Sequence, residues 1–303
     1  MVGIESVSAA VAGDAAKLNE STMEPATPPI VNAMSVDVED YYQVWALSSM
    51  VKRSEWSSCE SRVVASTSRI LDMFDAAGVK ATFFTLGCVA KNYPDLVRRI
   101  VADGHELASH GYWHHKVHEL TRDEFLEDVR STRLLLEDIG GVPVRGYRAP
   151  SFSIGEQTPW AYDVLAEAEY TYSSSLHPIV HDHYGRPDAP RFPYLEASGI
   201  REIPVATVEW RGRRITCAGG GFFRLLPYQF WFRPLLRRLH AREAQPATFY
   251  FHPWEIDAGQ PRVQGLPLRS RLRHYSNLGA MEGKLRRLLA DFRWDRMDHV
   301  YVL

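Results

Sequence analysis

The chain has 303 residues, 45% of them hydrophobic and 24% charged, with a formal net charge of -2. That is globular composition, enough for one large domain or two small ones, and near-neutrality argues against a nucleic-acid binder held by counterion release. Cys59, Cys88 and Cys217 are scattered and form no CxxC pair, which argues against a disulfide scaffold and favours a reducing compartment.

No apolar run approaches the roughly 20 residues of a membrane span. Residues 1–30, rich in Ala, Ser, Thr, Glu and Pro, read as a disordered leader without the basic start and apolar core of a signal peptide. Cytoplasmic action is the corresponding expectation. "IVNAMSVDV" is a first strand. "SRVVASTSRILDMFDAAGV" spaces Val64, Ile70, Leu71 and Phe74 as a helix and stops at Gly78. "KATFFTLG" is a second strand, and a helix runs from Pro94 to Gly104. "HELASH" is a third strand, followed by a helix that opens on the capping box of Thr121 and Glu124 and closes on Gly140 and Gly141. "VRGYRAP" (strand), "PWAYDVLAEA" (helix) and "YTYSSSL" (strand) come next. "IREIPVAT" is a further strand, "PYQFWFRPLLRRLHA" a helix interrupted by Pro234, "ATFYFHPW" a last strand and "LGAMEGKLRRLLADF" an amphipathic helix. Repeated strand–helix units imply a parallel sheet, open or closed into a barrel, with chemistry at the C-terminal strand ends.

Four motifs fall at such ends. In "SVDVEDYYQV", period-two alternation buries Val36 and Val38 and puts Asp37 and Glu39 together on the other face, with Asp40 next. Crowded carboxylates need compensation, and a cation is one form of it. In "ASHGYWHH", His110 and His114 would share one side of a helical turn, and imidazole is a good zinc ligand. Taken alone, that pair reads as readily as a solvated surface feature. His105 and His110 are one residue too far apart for the HExxH motif of zinc proteases. Arg148 in "YRAPSFSI" could orient Asp37 by a bidentate contact or serve as a structural ion pair. His252 in "FYFHPWEID" is placed to donate a proton to a leaving group, or is a structural histidine. Tyr112, Trp113, Phe152 and Trp254 stand beside these motifs as candidate sugar-stacking residues, or as core. "CAGGGFF" lacks the Lys-Ser/Thr of a phosphate loop and reads as a tight loop near the site.

In this order the motifs resemble the NodB-homology polysaccharide deacetylases, which have a distorted (β/α) barrel. The wordings "GGGFFRLLPY" and "RHYSNL" are similar to one branch, associated with exosortase-type exopolysaccharide gene clusters. The resemblance implies a catalytic domain over 31–260 and a C-terminal helical extension over 261–303 packed on the barrel. It also implies hydrolysis of N-acetyl groups on a glycan, a divalent metal with zinc expected, and association with an exopolysaccharide assembly complex. Residue by residue it makes Asp37 the general base, His110 and His114 metal ligands, Arg148 the partner of the base and His252 the general acid. Ser151 would offer a backbone N–H to the oxyanion. The third ligand is Glu39 by spacing or Asp40 by side-chain type. Relatives carry an aspartate in the fifth-strand region to tune the acid; here Ser173 and Ser174 stand there, with Asp182 or Asp257 as substitutes. An allantoinase-like cyclic amide hydrolase and a non-catalytic glycan-binding protein are the alternatives. A carboxylate-pair glycoside hydrolase would leave both histidines and the arginine without roles.

Overall fold

The computed structural model describes residues 29–181 and 185–303. The leader expected over 1–30 lies almost wholly outside them, and so does Asp182. Among the described residues eleven strands follow in chain order: β1 Val31–Val38, β2 Thr82–Thr85, β3 Glu106–Ser109, β4 Gly146–Tyr147, β5 Tyr172–Ser173, β6 Tyr194–Leu195, β7 Arg201–Glu202, β8 Thr207–Trp210, β9 Arg213–Thr216, β10 Thr248–Phe251 and β11 Arg293–Asp295. The helices are α1 Val63–Ala77, α2 Gly87–Asn92, α3 Pro94–Ala102, α4 Arg122–Gly140, α5 Ala161–Glu167, α6 Gly220–Leu225, α7 Arg233–Glu243, α8 Leu268–Tyr275, α9 Leu278–Asp291 and α10 Met297–Val300.

The main sheet runs β10-β1-β2-β3-β4-β5-β7-β6 and is parallel except at β6. It curls into a half-barrel, a distorted α/β barrel as expected. Beyond β7 the chain swings round until the Ala206 N–H donates to the Thr248 carbonyl of β10 at 3.1 Å. The central strands are buried on both faces, which is why β1 and β2 read as apolar runs. Outside the sheet, Ile70 and Phe74 of α1, Leu236 of α7 and Leu285 and Leu288 of α9 join one core, while Phe125 and Val129 of α4 and Leu165 of α5 join a second. Among the described residues no helix is long and apolar enough to cross a membrane.

Local chemistry sets most boundaries as expected. Thr121 and Glu124 cap α4 reciprocally, and Gly78 and Gly141 end their helices at φ 63° and 66°. Three expectations are corrected. Pro234 does not interrupt a helix. It stands in the first turn of α7, after a wide turn over Tyr228–Phe232, where its missing N–H costs nothing. The hairpin β8–β9 adds two strands that the sequence does not announce, because β8 is buried at Thr207 and Val208 and exposed at Glu209 and Trp210, without period-two alternation. The segment 261–303 is not only helical, because β11 pairs with β1 in parallel, Asn32 opposite Trp294.

Candidate active site

The C-terminal ends of β1, β3, β4 and β10 converge on an open cleft of about 170 Å³. β1 supplies Asp37 and, one residue past its end, Glu39; both are buried and on one face, as the alternation requires. Asp37 Oδ1 accepts from Arg148 Nη1 at 2.6 Å. Arg148 is fully buried just beyond β4, and its other bonds go to Ser35 Oγ (2.8 Å), the Ser174 carbonyl (3.0 Å) and Ser174 Oγ (2.8 Å). Its guanidinium lies 4.1 Å from the Phe84 ring centroid. Of the two serines in the fifth-strand region, Ser174 therefore holds the arginine, while Ser173 Oγ donates to Ser175 Oγ.

His110 and His114 do not sit on a helical turn. Gly111 (φ 73°) and His114 (φ 55°) curl the loop after β3 back on itself, and the two rings meet edge to face at 5.3 Å. Gly111 is needed there, since a Cβ would lie 2.9 Å from Asp128 Oδ2. The Asp128 carboxylate accepts the Tyr112 N–H, and burial pushes its carboxyl up to about 6. His110 Nδ1 is 2.8 Å from the Arg148 carbonyl, which accepts only from the tautomer that leaves Nε2 with a lone pair. Burial holds the ring neutral, its pKa down to about 4.

Glu39 Oε2 lies 2.9 Å from His114 Nε2 yet has no hydrogen-bond partner of good geometry. Glu39, His110 and His114 each present a ligand atom, all within 4.8 Å of one another. Two imidazole nitrogens and a carboxylate oxygen turned to one point, one of them orphaned and buried, fit a divalent cation. Burial raises the Glu39 carboxyl, but His114, His252 and His110 outweigh it and hold it at about 2. Asp40 is corrected as a ligand. Its Oδ1 accepts the Tyr41 N–H, and its Oδ2 accepts Ser61 Oγ and the N–H groups of Arg62 and Val63. It caps the segment after β1 and the start of α1, on the other side of the chain from Glu39.

His252 follows β10. Its Nε2 stands 3.4 Å from Glu39 Oε1 and 3.9 Å from Asp37 Oδ2, and its Nδ1 3.3 Å from Glu255 Oε2. Burial alone would depress the imidazole; the carboxylates of Glu39, Glu255 and Asp37 bring it up to about 9. Glu255 is thus the acid beside His252, and it is in turn paired with buried Arg224 of α6 at 3.0 Å. Asp257 is turned away onto Arg62 at 2.8 Å. Neither Glu255 nor Arg224 was singled out in the sequence. The signal was present: Glu255 lies three residues after His252, and within the glycine run a Cβ on Gly220 would come within 1.7 Å of Glu255 Oε2.

Of the aromatic candidates, Phe152 and Trp254 line the cleft and Tyr112 and Trp113 do not. The Tyr112 ring packs over Gly87, where a Cβ would lie 2.5 Å from its Cδ2. The Trp254 ring stacks on His252 (5.3 Å) and His274 (4.3 Å), so it acts as a wall that orients His252. Ser151 lines the cleft from a turn in which it and Phe152 hold φ of 55° and 50°, strain of about 1–3 kcal/mol each.

A curled parallel sheet whose rim joins a histidine–aspartate pair to a two-imidazole, one-carboxylate cluster defines an α/β half-barrel protein with a hydrolase-type centre. Residues 58–173 match the polysaccharide deacetylase family model, so that part of the chain is a polysaccharide deacetylase domain. Residues 174–302 match a domain of unknown function, DUF3473. The chain is 35% identical over 96 residues to a peptidoglycan-N-acetylglucosamine deacetylase of Bacillus cereus, covering 31% of this chain and 35% of that protein. It is 34% identical over 115 residues to a chitooligosaccharide deacetylase of Sinorhizobium fredii, covering 37% and 49%. The chain thus spans about a third to a half of the length of these curated relatives. A crystal structure from Mycobacterium smegmatis, assigned as a polysaccharide deacetylase, shares the fold with a TM-score of 0.57 and 22% identity over 90% of this chain and 94% of that one. The two matched regions divide a single sheet between β5 and β6. His252, Glu255 and Arg224 all come from the second, and Asp37 and Glu39 precede both.

Proposed function

We propose that the protein hydrolyses N-acetyl groups from amino sugars of a polysaccharide or its precursor, with a divalent metal and in exopolysaccharide biosynthesis. The observation that carries this reading is the placement of His252 Nε2 between Asp37 and Glu39, opposite the Asp37–Arg148 pair. Asp37, fixed by Arg148 through Oδ1, keeps Oδ2 on the His252 side of the cleft as the acceptor of a proton from water. His252, protonated at neutral pH, donates from Nε2 to the departing amine, and Glu255 holds its Nδ1. Glu39, His110 and His114 would hold the metal, and the donor set suits zinc. When bound, the ion supplies Lewis-acid polarisation of the amide carbonyl and acidifies water. The Ser151 N–H is the candidate oxyanion donor and Phe152 a wall for the sugar.

The named activities of the relatives support an N-acetylated glycan as substrate. The place in exopolysaccharide assembly, in the cytoplasm beside an assembly complex, rests on the branch wording of the sequence. The test is acetate release from N-acetylhexosamine oligomers with and without added divalent metal, with product masses followed in parallel. Free acetate and an amine-bearing glycan of unchanged length are expected; shortened chains with intact acetyl groups would overturn the reading.

A further inference from the structure

Between β1 and α1 the chain folds three short turns over Tyr41–Ser58, at the same edge of the sheet as the active site. Beside them lies a second cleft, of about 270 Å³. It is continuous with the catalytic cleft through Val44, Trp45, His114, Lys116 and Ser151, which line both.

The two clefts differ in chemistry. Asp37, Glu39 and Glu255 line the catalytic one, balanced by Lys116, Arg224 and Arg273. The second gathers Lys52, Arg53 and Lys116 against the single carboxylate of Glu119. Among the described residues neither Lys52 nor Arg53 has a carboxylate within ion-pairing distance, and Lys116 meets Glu119 only at 3.8 Å. The cations stand on indoles: Lys116 Nζ is 5.0 Å from the Trp45 ring centroid, and the Arg53 guanidinium carbon 5.6 Å from that of Trp56. Trp113, which the catalytic cleft does not use, tilts against Trp56 at 6.3 Å, and its carbonyl accepts from Arg53 Nε at 3.0 Å. Indole faces take the apolar face of a sugar ring, and clustered cations in a cleft raise the local concentration of anions.

We propose that this second cleft is a subsite for an anionic sugar residue adjoining the N-acetylated one, so that the preferred substrate is an acidic glycan. The negative group is a carboxylate or a phosphate. The proposal rests on the deacetylase reading for its turnover but not for its binding chemistry. The metal-loaded full chain is assayed on three matched oligomer sets: neutral N-acetylhexosamine, the same with an adjoining uronate, and the same with an adjoining phosphate. Acetate release and calorimetric affinity are both recorded. About tenfold or greater preference for one acidic set is expected, weakening as salt rises towards 1 M. Lys52→Ala/Arg53→Ala, at two exposed positions, should abolish that preference chiefly through KM and Kd, and Arg53→Lys should restore part of it. Equal affinity for neutral and acidic oligomers, or a preference that the double variant keeps, overturns the subsite, whether or not acetate is released. Acidic preference in binding without acetate from any set supports the subsite and instead sinks the deacetylase reading.

Discussion

Arg148→Met tests whether the arginine is a structural necessity as well as a partner of the base. The side chain has no exposed surface and satisfies Asp37 Oδ1, Ser35 Oγ and both oxygens of Ser174. Methionine keeps much of the volume over Phe84 but leaves Asp37 as a buried carboxylate without its cation. Removing one partner of a buried pair costs about 3–5 kcal/mol. In a chain this size each kcal/mol moves Tm by about 1.6 °C, so Tm should fall by about 5–8 °C. Asp37→Asn should cost less, because the guanidinium keeps its serine partners. In the double variant no charge is stranded, so its loss should fall short of the summed single losses by about 0.5–3 kcal/mol. Urea unfolding and calorimetry on metal-free protein measure all four corners without a ligand term. A single-variant loss below about 1 kcal/mol, or losses additive within about 0.5 kcal/mol, would refute the argument.

Three further outcomes are expected. His110→Ala and Glu39→Ala should lose bound metal by elemental analysis, whereas Asp37→Asn and His252→Ala should retain it and lose about 10²–10⁴-fold in turnover; metal loss in Asp37→Asn would make Asp37 a ligand. Gly220→Ala should drive Glu255 off His252 and cost about 1–3 kcal/mol with lost activity, while Gly279→Ala, with open space around it, should be silent in the same assays. Asp128 has its folded pKa raised to about 6 from an ordinary 3.8, so the stability it contributes is complete below pH 4 and is lost as pH rises through 6. Asp128→Asn should therefore match wild type near pH 4 and exceed it by about 1–3 kcal/mol at pH 7.5; parallel stability curves at the two pH values would contradict this.

What the sequence disclosed was whatever depends on periodicity or a local cap. The alternation in β1 correctly put Asp37 and Glu39 on one face, and Thr121 and Gly78 marked real helix ends. It could not choose between Glu39 and Asp40, because the choice depends on Ser61, Arg62 and Val63, which meet Asp40 only in space. The same limit hid Arg224, whose partner Glu255 is 31 residues away. His110 and His114 were legible as a pair, but positive φ at Gly111 and His114 replaced the helical turn that their spacing suggested. Tyr112 reads as a sugar platform from its place in the sequence, but its ring packs over Gly87, while Trp254 lines the cleft with its ring against two imidazoles.

The pairing of β1 has a consequence for how the chain is made. Its neighbours β10 and β11 are synthesised long after it; Ser35 on β1 bonds to the Phe249 carbonyl, 214 residues later. At about 5–20 residues per second a ribosome needs roughly 10–40 s to cover that distance. Through that interval the half of β1 that carries Asp37 can pair with β2 alone, leaving a hydrophobic edge open to other strands. A nascent chain stalled before Phe251 would expose that edge for as long as the stall lasts. Holdase chaperones should accordingly engage the N-terminal half, and chains truncated at the boundary between the two matched regions should aggregate rather than yield a smaller enzyme.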